Sequence, residues 1–325
     1  MFYDHFSSLV KNIILNIQRS KQPKEYFENN SYNNIYLTTR DGLKIGVSLF
    51  LPSSVDDSTQ FVVFMHGVGC NRDDMSEIGE FKYFSRRNVV LLIPDYRGFG
   101  DSEGNFNLQG VNLDILSCFE YIFSKFGPRK VNIISFSLGT AIGAEYVKFV
   151  RNGSLTNGSL MNGSLMNGSP TNGSLMNGSL MNGSLMNGSL MNCSLMNGSL
   201  MNGSLTNDIN DIFMPDKIIL ISPFSTLKNV LNSFKIFKVC SFLIPPLKKV
   251  IDKELYYDTL SNLSAINKDR IFVFHGVYDK LIPLEESIKI RDKHHCYFKS
   301  VQSDHIRILL NAELWDEING ILFKE

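Results

Sequence analysis

A serine hydroxyl is a weak nucleophile, and a chain that uses one must also supply a base and a carboxylate to hold that base. Ser137, His305 and Asp279 have the types and settings to do this. Ser137 lies in Ser135-Phe136-Ser137-Leu138-Gly139, between an apolar run and a helical run. This is the strand–turn–helix pattern G-x-S-x-G with serine in place of its first glycine. Small residues two before and two after the serine give the tight turn its clearance. The Leu138 N–H, at the helix start, is placed to face a developing oxyanion with help from the helix dipole. A second donor must come from the loop His66-Gly67-Val68-Gly69, whose glycines let backbone approach a substrate closely, and Val68 is the expected donor.

Asp279 follows an apolar run in His275-Gly276-Val277-Tyr278-Asp279, and His305 follows another in Ser303-Asp304-His305. Other groups could compete for these roles. Asp304 neighbours the histidine, but adjacent loop side chains seldom make the orienting bond. His294 and His295 close a helix and are expected to face solvent near its negative end. His66 and His275 are read as hydrogen-bonded structural histidines.

The elements that must position these residues show in the hydrophobic pattern. Expected strands are Asn34–Thr39, Leu43–Leu51, Phe61–Met65, Val89–Pro94, Val131–Phe136, Lys217–Ser222, Ile271–His275 and Tyr297–Gln302. The first two flank Arg40-Asp41-Gly42, a hairpin signal. The later ones are continuous apolar runs, as expected when helices cover both faces. Helices are expected at Asp73–Arg87, Leu108–Phe126, Leu138–Val150, Glu285–His294 and Ile306–Phe323. An antiparallel start followed by strand–helix alternation predicts an open, mostly parallel α/β sheet. Ligands of such sheets sit beyond the carboxyl ends of the strands, where Ser137, Asp279 and His305 all fall.

Composition trims the list of functions. The chain has 325 residues, 32 basic against 32 acidic, so no electrostatic footprint for nucleic acid exists. No run of 18 apolar residues offers a membrane span. Asp4, His5 and Lys11 interrupt the N-terminal apolar residues, unlike a secretory signal. The five cysteines, Cys70, Cys118, Cys193, Cys240 and Cys296, have no metal-ligand spacing and read as free thiols in a reducing compartment. No metal and no cofactor is expected. From Asn152 to Thr206 the unit Asn-Gly-Ser-Leu-Met recurs eleven times with small changes. Those 55 residues carry no charge, and setting them aside leaves 270, enough for one large core. Their low complexity predicts a disordered insert, leaving from the end of the helix that Ser137 opens and hence away from the site. The eleven Asn-x-Ser triplets come with the repeat and matter only on a secretory route. The expected layout is an N-terminal amphipathic segment over residues 1–30, a single catalytic domain over 31–150 and 208–325, the insert at 152–206 and a candidate cap over 225–257.

His66-Gly67-Val68-Gly69, the stretch Pro94-Asp95-Tyr96-Arg97-Gly98-Phe99-Gly100-Asp101-Ser102-Glu103-Gly104, the serine elbow, Ser222-Pro223-Phe224 and His275-Gly276-x-x-Asp279 together resemble an α/β-hydrolase. They are most similar to the BEM46 and ABHD12/13/17 group and its serine-aminopeptidase-like relatives. The resemblance runs from about Asn34 to the end, interrupted by the repeat. It implies an eight-stranded, mostly parallel sheet with helices on both faces. It also implies a serine hydrolase in which Ser137 attacks, His305 is the base, Asp279 orients it, and Val68 and Leu138 form the oxyanion hole. The order Ser137, Asp279, His305 is the order of that fold. Asp95 and Arg97 are read as structural. The departures are Ser135 for glycine and Phe136 where histidine is common.

The resemblance further implies a small lipid-like acyl ester as substrate: a lysophospholipid, a monoacylglycerol or an acylated protein. The alternatives are a catalytically silent binding protein on the same fold, or an aminopeptidase-like peptidase. Segment Thr226–Tyr257 leaves from the active edge and is rich in Leu, Ile, Val and Phe around Pro245-Pro246. It reads either as an ordinary helix pair or as an acyl pocket with a basic rim of Lys228, Lys235, Lys238, Lys248, Lys249 and Lys253, able to touch anionic lipid. Phe2–Ile17 has near-helical apolar spacing and reads either as a packed helix or as an interfacial anchor. The expected location is cytoplasmic, with peripheral membrane contact. Deleting Asn152–Thr206 is expected to leave hydrolysis of a small ester within a few-fold of wild type in a chromogenic assay. A large loss would give the repeat a role in the fold or the site.

Overall fold

The computed structural model describes residues 32–76, 78, 81, 87–153, 210–233 and 257–323. The N-terminal segment, nearly all of the repeat and most of the candidate cap lie outside the described residues. Eight strands form one sheet: β1 Asn33–Thr38, β2 Lys44–Phe50, β3 Gln60–Met65, β4 Val89–Pro94, β5 Val131–Phe136, β6 Ile218–Ile221, β7 Ile271–Gly276 and β8 Tyr297–Val301. Their order is β1-β2-β4-β3-β5-β6-β7-β8. β1 with β2 and β2 with β4 pair antiparallel, and every later pair is parallel. The first hairpin turns where Gly42 takes φ 86° and donates its N–H to the Thr39 carbonyl at 2.9 Å.

The helices are α1 Arg72–Ser76, α2 Leu108–Phe126, α3 Leu138–Arg151, α4 Leu227–Ser233, α5 Thr259–Asn262, α6 Leu284–His294 and α7 Ala312–Leu322. Two cores follow from the alternation of side chains along each strand. Val63, Met65, Val90, Leu92, Ile133, Leu220 and Val273 face one side, packed by residues of α2, α3 and α6. Val62, Phe64, Leu91, Ile93, Ile134, Ile219 and Phe274 face the other, packed by Leu314, Trp315 and Ile318 of α7. Burial on both faces is why these strands are unbroken apolar runs.

Three expectations need adjustment. Ile306–Phe323 is not one helix, because Asn311 takes an extended backbone and its side chain caps α7 by accepting from the Leu314 N–H at 3.2 Å, leaving a separate 3-10 turn at Arg307–Leu310. His294 is half-buried rather than turned fully to solvent, and its Nε2 donates to the Leu260 carbonyl at 2.8 Å, which ties α6 to α5, while His295 is exposed as expected. Of the helix expected over Asp73–Arg87, Arg72–Ser76 and Phe81 are helical and Ile78 is a bend, while residues 77, 79–80 and 82–86 lie outside the described residues.

Both excursions from the sheet have tied ends. After α3 the chain leaves at Gly153, and where it returns Phe213 packs on Phe123 and accepts a 3.2 Å bond from the Tyr146 hydroxyl. The candidate cap begins and ends at a neck. Thr226 and Asp258 bridge antiparallel, the Leu227 N–H donates to the Tyr257 carbonyl at 3.2 Å, and Leu260 N–H donates to the Ser225 carbonyl at 3.1 Å. Buried Glu286 of α6 accepts from both the backbone N–H and the hydroxyl of Ser225, fixing that neck to α6.

Charge is buried where it is paired. Arg97 donates to Asp114 of α2 at 2.8 Å and to Asp41 of the first hairpin at 2.7 Å. Asp114 is fully buried, and burial pushes its pKa up to about 6 against the opposing pull of Arg97. Removing the guanidinium while keeping volume, in Arg97→Met, strands that carboxylate and is expected to cost about 3–5 kcal/mol in urea unfolding at neutral pH. Without the guanidinium that lowers it, the Asp114 pKa rises further than in wild type, so the folded variant holds a proton that the unfolded chain releases, and acidification favours its folding more than that of wild type. The deficit against wild type should therefore narrow in acid, and an unchanged deficit would show that Asp114 is not what is left exposed to the penalty.

Candidate active site

β5 ends at Phe136, and the chain turns into α3 within one residue. Ser137 takes φ 54°, ψ −119°, a positive φ that a side chain adopts only when its surroundings enforce it. Its N–H donates to the Ile221 carbonyl of β6 at 3.0 Å, and its carbonyl accepts from the Thr140 N–H at 3.0 Å and hydroxyl at 2.6 Å. A Cβ at Gly139 would stand 2.2 Å from the Met65 carbonyl oxygen, so α3 starts hard against the end of β3 and tolerates no side chain there. Ser135 fits the position where the pattern has glycine because its hydroxyl turns sideways to the Ile219 carbonyl, 3.0 Å away. Phe136 is buried with its ring centroid 5.0 Å from that of His305 and forms a wall behind the imidazole.

The structure brings Ser137, His305 and Asp279 into one hydrogen-bonded chain. His305 Nε2 lies 3.1 Å from Ser137 Oγ, and its Nδ1 lies 2.6 Å from Asp279 Oδ2. Nδ1–H facing a carboxylate leaves Nε2 free to accept the serine proton. The Asp279 side chain is wholly buried, and its Oδ1 accepts from the N–H groups of Leu281 at 2.9 Å and Ile282 at 2.8 Å. Burial alone would raise its pKa, but the hydrogen bond and charge of His305 and the Ile282 N–H outweigh that and hold it below the usual value. The rival acid is engaged elsewhere: Asp304 Oδ1 accepts from the N–H groups of Ile306 and Arg307.

The two expected oxyanion donors flank this serine. Leu138 opens α3, where the first N–H groups have no acceptor inside the helix. On the other side, a Cβ at Gly67 would come 3.1 Å from Ser137 Cβ, so the loop carrying Val68 runs close against Ser137. A side chain at residue 67 would crowd Ser137 and the Phe136 ring.

A buried network that the sequence reading did not single out braces that loop. Fully buried Arg72 donates its N–H to Asp95 Oδ1 at 2.7 Å, its Nη1 to Asp95 Oδ2 at 2.8 Å, and its Nη2 to Asp101 Oδ2 at 3.1 Å. Tyr36 reaches Asp101 from β1, and the Tyr96 hydroxyl donates to the His66 carbonyl at 2.9 Å. Asp95 is structural here, as is Arg97. His66 is buried, stacked on Tyr96, with Nδ1 2.9 Å from the Gly67 carbonyl, and does not reach the serine chain. Spacing gave no signal for Arg72, because its partners lie 23 and 29 residues away. Among the described residues, no group of three His, Cys, Asp or Glu side chains is placed to hold a metal ion.

Of the candidate substrate-binding segment, Ser225, Val230 and Tyr257 are buried and Lys228 is exposed. Residues 234–256, with the other five lysines of the expected basic rim, lie outside the described residues. Large apolar side chains stand exposed on the loops that carry the site: Tyr278 and Leu281 beside Asp279, Ile306 after His305, and Val68. No described helix is long and apolar enough to cross a membrane.

Known proteins give this geometry a context. A family model described as the alpha/beta hydrolase fold matches residues 60–157. The lysophosphatidylserine lipase ABHD12 of Danio rerio is 27% identical over 144 residues, covering 39% of this chain and 37% of that protein. The shared stretch is thus little more than a third of either. Two solved structures align over nearly the whole chain. An esterase of Pyrococcus furiosus superposes with a TM-score of 0.59 at 13% identity, covering 94% of this chain and 97% of that one. An alpha-beta hydrolase of Vibrio vulnificus superposes with a TM-score of 0.61 at 15% identity, covering 97% and 93%. With its eight-stranded sheet and its serine turn between β5 and α3, the chain has the α/β-hydrolase fold, and over the matched stretch it is similar to ABHD12.

Proposed function

We propose that this protein is a serine hydrolase that cleaves carboxylic esters or thioesters of lipid-like acyl substrates. One observation carries the reading. Ser137 Oγ, His305 and Asp279 form an unbroken chain of hydrogen bonds at 3.1 and 2.6 Å on a strand-to-helix turn beside two candidate oxyanion donors. In this mechanism Ser137 Oγ attacks the acyl carbonyl carbon while its proton passes to His305 Nε2. Asp279, held ionised, steadies the imidazolium through Nδ1–H. The N–H groups of Leu138 and Val68 take the negative charge on the tetrahedral oxygen. The imidazolium then gives its proton to the leaving alcohol or thiol, and water, activated by the same histidine, releases the acid from the acyl-enzyme.

The lipid-like substrate rests on two supports. The matched relative bears the name of a lysophospholipid lipase. Val68, Tyr278, Leu281 and Ile306 set an apolar margin on the loops that carry the candidate oxyanion donor, the acid and the base, suited to an acyl chain. A cytoplasmic enzyme in peripheral contact with membranes goes with this reading. A binding protein on the same fold would need no complete acid–base–nucleophile chain, and the relay at Ser137 favours the enzyme.

A fluorophosphonate probe should label wild type and leave Ser137→Ala unlabelled, with the adduct on the Ser137 peptide by mass spectrometry. Equal labelling of both would end the proposal. Asp279→Asn should lower kcat on a short-chain ester by about 10⁴-fold, because the amide no longer fixes the working tautomer of His305. The same variant has a stability signature. The depressed pKa of Asp279 contributes stability above the unfolded-state value of about 3.9, lost as the pH falls through the folded-state value. Loss of stability on acidification should therefore be shallower in Asp279→Asn than in wild type.

A further inference from the structure

A second histidine stands behind the carboxylate. His275 is fully buried near the end of β7, one residue before Gly276. Its Nε2 lies 2.9 Å from the Ile282 carbonyl oxygen and 3.4 Å from Asp279 Oδ2, and its Nδ1 lies 2.6 Å from the Ser287 hydroxyl of α6. A carbonyl oxygen can only accept, so Nε2 carries the hydrogen, and Nδ1 must then accept from Ser287. The tautomer is fixed by its neighbours. Burial lowers the pKa of the ring, in keeping with a neutral imidazole.

Ile282 connects this to the acid. Its N–H donates to Asp279 Oδ1 at 2.8 Å while its carbonyl is held by His275, so one imidazole grips the far end of the turn that presents the carboxylate. The near end has no slack. Asp279 N–H donates to the Gly276 carbonyl at 3.1 Å and Tyr278 N–H to the Ser303 carbonyl at 3.0 Å. A Cβ at Gly276 would come 2.5 Å from the Ser303 carbonyl oxygen, which packs the acid-bearing loop onto the loop that bears His305. The charged or titratable groups felt by His275 are Asp279 and His305 from these loops and Glu285 from α6. On β8 its register partner is the uncharged Ser300, and β6 places Ile221 beside Phe274.

The geometry points to His275 as a positioning residue for the serine–histidine–aspartate chain, holding the Asp279 turn so that Oδ2 meets His305 Nδ1, with Ser287 fixing the tautomer that does it. The inference rests on the hydrolytic reading of that chain. It assigns His275 no contact with substrate. Its effect is on how well the carboxylate opposes the imidazolium that forms as Ser137 attacks.

The test compares His275→Leu, His275→Gln and Ser287→Ala with wild type on a short-chain ester, alongside fluorophosphonate labelling. His275→Leu should lower kcat by about 10- to 100-fold with KM nearly unchanged, since misplacement of a catalytic group by about 1 Å costs that much. The acid limb of its kcat/KM profile should move to lower pH, because an imidazolium with a poorly aligned counter-charge loses its proton more readily. The low-field proton resonance of His305 Nδ1–H should shift with it. His275→Gln, whose amide N–H can reach the Ile282 carbonyl, should recover much of the rate and the resonance. Ser287→Ala keeps the imidazole and should show a smaller change in the same direction, which keeps the test alive if His275→Leu fails to fold. A folded His275→Leu with wild-type kcat and an unmoved acid limb, or a glutamine variant no better than leucine, overturns the inference. Wild type failing to label overturns the hydrolytic reading instead.

Discussion

A serine fixed at φ 54° on a single-residue turn between a strand and a helix is costly to hold, and several features around it make sense as the means of holding it. The turn brings α3 against the end of β3 so closely that residue 139 must be glycine, and it brings the Val68 loop close enough that a side chain at residue 67 would press on Ser137 and Phe136. β6 supplies the Ile221 carbonyl that receives the Ser137 N–H, and a neighbouring carbonyl that takes up the Ser135 hydroxyl. Three adjacent parallel strands are therefore committed to one residue's conformation. What they obtain is a hydroxyl raised above the sheet edge with an unpaired helix-start N–H beside it.

The loops around the serine are held by electrostatics inside low-dielectric surroundings. Arg72 with Asp95 and Asp101 fastens the ends of β3 and β4 to β1, and Arg97 with Asp41 and Asp114 fastens the next loop to the hairpin and to α2. Buried charges of this kind add little net stability over an apolar filling, but they have strict direction. Direction is what a catalytic loop needs, since a backbone N–H helps an oxyanion only at hydrogen-bonding distance. Glu286 does the same for the neck at Ser225.

The strands were legible because each is an apolar run bounded by turn residues, and the serine elbow because its spacing is local. Val131–Phe136 and Val89–Pro94 have the boundaries the hydrophobic pattern predicts. Ser137, Asp279 and His305 could be singled out because each follows a strand at one edge, and the structure places them within hydrogen-bonding reach. Where the reading stopped, the deciding partner was distant or subtle. His294 reads as a helix-end histidine, but the Leu260 carbonyl that binds it comes from another element. The break at Asn311 depends on a side chain preferring its cap to the helix interior, a choice that apolar periodicity does not register. Nothing in the run Gly69-Cys70-Asn71-Arg72 announces a guanidinium that threads between two carboxylates.

The neck at Thr226 and Asp258 closes the candidate cap into a loop whose two feet are bonded to each other and to α6. A change in length or sequence beyond the feet has no short mechanical route into β6 or β7, because the bridge takes the load first. Insertions and substitutions between the feet can thus accumulate without bending the strands that hold the turn at Ser137.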